Sequence, residues 1–170
     1  EIDQSIASLI SRLRLSENKL KQQLSDVELK IIFIGVDKLC NIAFIKGSQT
    51  IKVLNSNGVK KLSRNIQMLQ HTFRNFSPDP SNIDMSEPLL FYSLCDADES
   101  TLFEELNKGS LANLPVELHK TILKLQFSEE LYRQQMRSAR MSTSTHSKPT
   151  NKRYLDAMEK LNNLGVSTAA

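Results

Sequence analysis

The chain has 170 residues, 39% of them hydrophobic, with 22 Lys and Arg against 19 Asp and Glu for a net charge of +3. That charge is too mild for the dense basic footprint of a dedicated nucleic-acid domain. Five Gly, five Pro, no Trp and three Tyr argue against an all-β fold and leave an α-rich chain, able to bury a core as one domain or as two helical subdomains in series.

In chain order, Ile2, Ile6, Leu9, Ile10 and Leu13 recur at helical spacing, and Leu20, Leu24 and Val27 continue the stripe. The spacing predicts a first amphipathic helix, with a break near Ser16 or Ser25, both capable caps. The run from Leu29 to Ile45, LKIIFIGVDKLCNIAFI, is apolar around nearly its whole circumference and reads as the buried central helix of a bundle. It is too short, and too charged at Asp37 and Lys38, for a membrane span. Thr50 to Leu54 reads as the tail of that helix, with a short strand as the competing reading, and Asn57-Gly58 as a turn. Val59, Leu62, Ile66, Leu69, Phe73 and Phe76 then alternate spacings of three and four, which puts them on one seam of one helix. Lys60, Lys61, Arg64, His71 and Arg74 lie on its other face, either simply solvated or facing an acidic partner or anionic lipid.

Ser77-Pro78-Asp79-Pro80 ends that helix, and the Pro-rich stretch 77–87 reads as a boundary between a bundle over 1–76 and a second helical layer over 88–140. In that layer a helix from Ser86 ends at Lys108-Gly109, with a break expected midway and Thr101 and Glu104 at capping-box spacing. A longer helix runs from Asn113 to Arg140 with two apolar faces, of which Val116, Leu123, Phe127 and Leu131 form the second. That face is either covered by this chain's own elements or is a protein interface for another subunit. From Arg133 to Arg153 all charge is positive, Arg137 and Arg140 included, and 141–150, MSTSTHSKPT, reads as a flexible Ser/Thr-rich linker. A last short helix over 151–170 carries Leu155, Met158, Leu161 and Leu164 and must pack on something.

No catalytic constellation emerges. His71, His119 and His146 lie on separate segments, no phosphate-binding Gly-rich loop exists, and the acidic segment Asp96 to Glu105 lacks the alternation and glycine of a calcium loop. The expectation is a protein that is not an enzyme, holds no cofactor or metal and contacts no nucleic acid. Cys40 and Cys95 show neither a close pair nor a basic activator, and no secretory or anchor signal is seen, as in a reduced, cytosolic protein. A start at Glu1 rather than Met suggests a fragment of something longer.

The residues Phe33-Ile34-Gly35, then Asn57-Gly58-Val59-Lys60-Lys61-Leu62-Ser63-Arg64-Asn65-Ile66, then Leu69-Gln70, fall in an order and spacing that resembles the C-terminal region of the exocyst component four family. The likeness is carried by the span from Phe33 to Phe73, and downstream it is mainly one of helix layout. The resemblance implies antiparallel helical bundles stacked in series, as in multisubunit vesicle-tethering complexes. It implies a subunit that helps hold secretory vesicles at the plasma membrane before fusion. It also implies a cytoplasmic location, peripheral at the membrane where secretion is polarised, and other exocyst subunits as partners. A helical adaptor that binds anionic lipid, a small GTPase or a fusion protein is the alternative.

Overall fold

The computed structural model describes residues 2–77, 79–140 and 151–167. The fold is all-α, with no strand among the described residues: helices α1 (Gln4–Leu20), α2 (Asp26–Phe33), α3 (Val36–Gly47), α4 (Ser56–Phe76), α5 (Ser86–Asp96), α6 (Glu99–Asn107), α7 (Val116–Gln126), α8 (Ser128–Arg140) and α9 (Lys152–Ser167). Two compact units divide the chain, the first comprising Glu1–Ile45 with Asn57–Tyr92, the second Lys46–Ser56 with Ser93–Ala170. The division therefore does not fall in the Pro-rich stretch, and 46–56 groups with the C-terminal half.

In the first unit, Asp3 caps α1 by accepting the Ser5 amide at 3.0 Å. Of the two expected break points, Ser25 is the one used: its hydroxyl and amide exchange bonds with Glu28 in a complete capping box that starts α2. The predicted central helix is corrected at Ile34–Gly35. Gly35 stands at φ +79°, a conformation that β-carbon sterics deny to most residues, so α2 ends and α3 begins there. The predicted seam of α4 holds, with Val59, Ile66, Leu69 and Phe73 buried and Leu62 and Phe76 half-buried. Asn57-Gly58 is no turn but part of the first turn of α4.

The stretch after α4 is fastened within this unit. Ile83 and Met85 are buried, the Asn41 side-chain amide donates to the Asp84 carbonyl at 2.9 Å, and the Asp84 amide donates to Asp37 at 3.3 Å. The Tyr92 hydroxyl donates to the Phe44 carbonyl at 2.8 Å. Such cross-chain bonds satisfy buried polar groups and turn the predicted boundary into part of a core.

The second unit is built around α7, which packs against α8, α9 and the 3-10 turn Ser48–Thr50. Thr50 closes that turn, Ile51 is extended and 51–55 is neither helix nor strand, so Thr50 to Leu54 forms neither the expected helix tail nor the competing strand. Leu54 is held by Ser128, whose hydroxyl accepts the Leu54 amide at 3.0 Å and donates to the Leu125 carbonyl at 2.7 Å. The predicted helix from Asn113 to Arg140 is thereby interrupted at Phe127, where this hydroxyl takes over a carbonyl at the end of α7. The helix expected from Ser86 to Gly109 breaks at Ala97-Asp98. There Gln126 donates to the Leu94 carbonyl at 2.7 Å, and Asp98, rather than the Thr101–Glu104 pair, caps α6 by accepting the Thr101 amide at 2.9 Å. Gly109, at φ +75°, takes the left-handed position just after the Lys108 cap of α6, as expected. The last helix finds its neighbour in α7, and the stretch 141–150 lies outside the described residues.

Candidate protein interface

The face of α7 expected to reach another subunit is largely spent inside the second unit. Leu123 is 0% exposed and Phe127 is buried, Leu131 is half-buried, and Val116 is exposed at the start of the helix. The cover comes from α9: Tyr154 meets the Phe127 ring edge-on with centroids 5.8 Å apart, the Arg153 guanidinium lies 5.8 Å from the same ring, and Ala157 and Leu161 are buried. At Leu123 and Phe127 the second apolar face is core.

The four most exposed large apolar side chains among the described residues lie instead where α2 and α3 meet solvent, in a stretch expected to be buried. Ile34 is 74% exposed, Leu39 68% and Ile31 63%, and Val27, Ile32 and Ile42 are exposed with them. Val27, Ile31 and Ile34 recur at four and three residues, as do Leu39 and Ile42 at three, which aligns them in stripes on their helices. The opposite side of α3 is buried and carries polar groups among apolar ones: Asp37 is 3% exposed, Asn41, one turn on, is buried with it, and Ile45, a further turn on, is buried too. The two share the Asp84 backbone as partner, through the bonds described above. α3 thus turns a carboxylate and an amide inward beside Ile45 while Leu39 and Ile42 face out, an unusual arrangement for a free surface helix. The sequence held the signal, since Asp37 and Asn41 lie four apart in an apolar run, but only the partner Asp84 tells that this side faces inward.

The predicted basic surface on α4 is divided. Lys60 and Arg64 are exposed, but the Lys61 ammonium pairs with Asp3 at 2.9 Å, and the Asp3 amide donates to Asn65 at 3.0 Å. Lys61, then Ser5, hold the Asp3 carboxyl below its ordinary range. Two residues of the Lys-Lys to Asn-Ile stretch therefore fasten the start of α1 onto α4. Arg74 donates to the Ile83 carbonyl at 3.4 Å. The side chains of Arg137 and Arg140 lie outside the described set.

For chemistry the described residues offer little. They contain no group of three His, Cys, Asp or Glu side chains placed to hold a metal ion. A cavity of about 320 Å³ in the second unit is walled by Leu106, Leu111, Leu114 and Leu161 with His119 at its side. His119 Nε2 lies 3.2 Å from the Leu111 carbonyl, which assigns the proton to that nitrogen, and burial lowers its pKa, so the ring is neutral at pH 7. No carboxylate, hydroxyl or thiol shares the cavity wall. Burial pushes the Cys95 thiol up to about 12 and raises that of Cys40, so neither is a ready nucleophile. No described helix is long and apolar enough to cross a membrane. Compared with family models, with curated proteins and with solved structures, the chain matches none.

Proposed function

We propose that this chain is a structural segment of an exocyst subunit, helping to hold secretory vesicles at the plasma membrane before fusion through helix-mediated contacts with fellow subunits. It acts by binding energy and geometry rather than by catalysis, in bundles stacked in series, from the cytoplasmic side of the membrane. The observation that carries the contact role is helix α3, with its buried Asp37 and Asn41 and exposed Leu39 and Ile42. Six large aliphatic side chains exposed within sixteen residues support reading this stretch as a face for another macromolecule. The exocyst identity rests on the sequence likeness between Phe33 and Phe73, which includes Ile34 and Gly35 at the exposed α2–α3 corner.

The test is a pull-down of the chain against the other exocyst subunits, with Ile31→Asp and Leu39→Asp compared to wild type after circular dichroism. Retention of one subunit by wild type, lost in both variants with helicity unchanged, is the expected result. Retention of no subunit would overturn the tether reading.

A further inference from the structure

We infer that the cavity beside the start of α7 is a binding site for a small, uncharged aliphatic molecule such as an alcohol. The inference is independent of the subunit-contact reading and concerns the second unit alone. The cavity lies where the end of α6, the turns that follow it, the start of α7 and the later turns of α9 converge. Leu111 and Leu161, 1% and 2% exposed, form its floor. Val116 and Leu164 also line it and are exposed, so it opens to solvent on their side.

Size and polarity set the occupant. At about 320 Å³ the cavity is roughly ten times the ~30 Å³ that a water takes up in the liquid, and it falls within the range of about 300–1,000 Å³ typical of small-molecule sites. Close-packed interiors leave few voids larger than a water, so a hollow of this size among leucines departs from ordinary core packing. Water fills it poorly, because each water needs about two to four polar partners and the walls are chiefly aliphatic. No charged side chain lines it, and the polar ones on its wall are His119 and the exposed Asn107. The Nε2–H of His119 is spent on the Leu111 carbonyl at 3.2 Å, which leaves Nδ1 an acceptor with no partner among the described residues. A charged headgroup would lose its hydration here without gaining an opposite charge, whereas a hydroxyl has an acceptor to meet.

The experiment titrates the 170-residue chain at pH 7 with 1-octanol, octanoate and octylammonium, three probes that share a hydrocarbon chain and differ in headgroup charge. Calorimetry should show saturable binding of octanol, with octanoate and octylammonium weaker by at least about tenfold. Proton NMR should place bound octanol against the methyl groups of Leu111 and Leu161. Val116→Trp, at the exposed rim, should weaken octanol binding by at least about tenfold by narrowing the entrance. Leu39→Asp, on the α2–α3 face, should leave it unchanged. The NMR contacts of wild type decide the site even where Val116→Trp fails to fold. Equal binding of all three probes, no saturable binding of octanol, contacts to other methyl groups, or undiminished binding by a folded Val116→Trp overturns the inference. So does loss of octanol binding in Leu39→Asp, which would move the site to the α2–α3 face.

Discussion

The segments 27–42 and 116–127 are both rich in Leu, Ile and Val, and the protein treats them in opposite ways. α7 carries apolar residues on two sides and has a neighbour for each, so Ile122, Leu123 and Leu125 lose all contact with water. α2 and α3 are the more apolar by sequence, yet each turns only one side inward, and on α3 that side spends two of its buried positions on Asp37 and Asn41. Apolar content sets how much surface a segment should bury, but neighbours set how much it does. What α7 finds in α9 and α8, α2 and α3 must find elsewhere, and the unmet part is the candidate interface.

The largest effect that would break this comparison is a pair of matched substitutions. Leu123→Asp places an unpaired carboxylate in a closed core and should cost more than about 4 kcal/mol, read as loss of the cooperative urea transition of the second unit. Ile31→Asp makes the same chemical change on the open face and should move stability by no more than about 0.5 kcal/mol. Equal costs would mean that the two faces are not different after all.

A smaller effect tests the corner that sets the open face. Gly35→Ala meets no atom within 4 Å of the new β-carbon, so its cost is purely conformational, about 1 to 2 kcal/mol at φ +79°. Gly47→Ala, equally open but at φ −60°, should stabilise by about 0.5 kcal/mol. Thermal midpoints moving in opposite directions would sharpen the assignment of the corner to Gly35.

The smallest effect concerns the fastening of α1. The Asp3 carboxyl sits below its usual 3.8 because Lys61 and Ser5 favour its charged form. A depressed carboxyl pKa contributes stability that is complete above the unfolded value and fades as pH falls through the folded one. The gap in urea midpoint between wild type and Asp3→Asn should thus be constant from pH 7 to about 5 and close below pH 3.8. A gap that widened on acidification would remove Lys61 from this role.

Much of the helical content was legible because it is local. The α4 seam, the Ser25 cap with Glu28 three residues on, and the glycine after α6 are all written within a few positions of where they act. The breaks were harder. Phe127 ends α7 because Ser128 is held by Leu54, 74 residues earlier, and no helical periodicity within 113–140 records that bond. The orientation of α3 is likewise decided by Asp84, 43 residues from Asn41. Whether the second face of 116–131 is covered by the chain itself or by another subunit therefore stayed open in the sequence for a physical reason: α7 and α3 both look like helices in need of neighbours, and the sequence does not say that α9 serves the first.

The path of the chain between its two units has a mechanical consequence. The backbone passes from one to the other at Ile45–Lys46, returns at Ser56–Asn57 and crosses again at Tyr92–Ser93. Three covalent strands therefore join the units, and a single proteolytic nick at any one crossing leaves two intact. For the same reason a fragment cut to begin at Ser93 would discard 46–56, and Ser128 would lose the Leu54 backbone it grips.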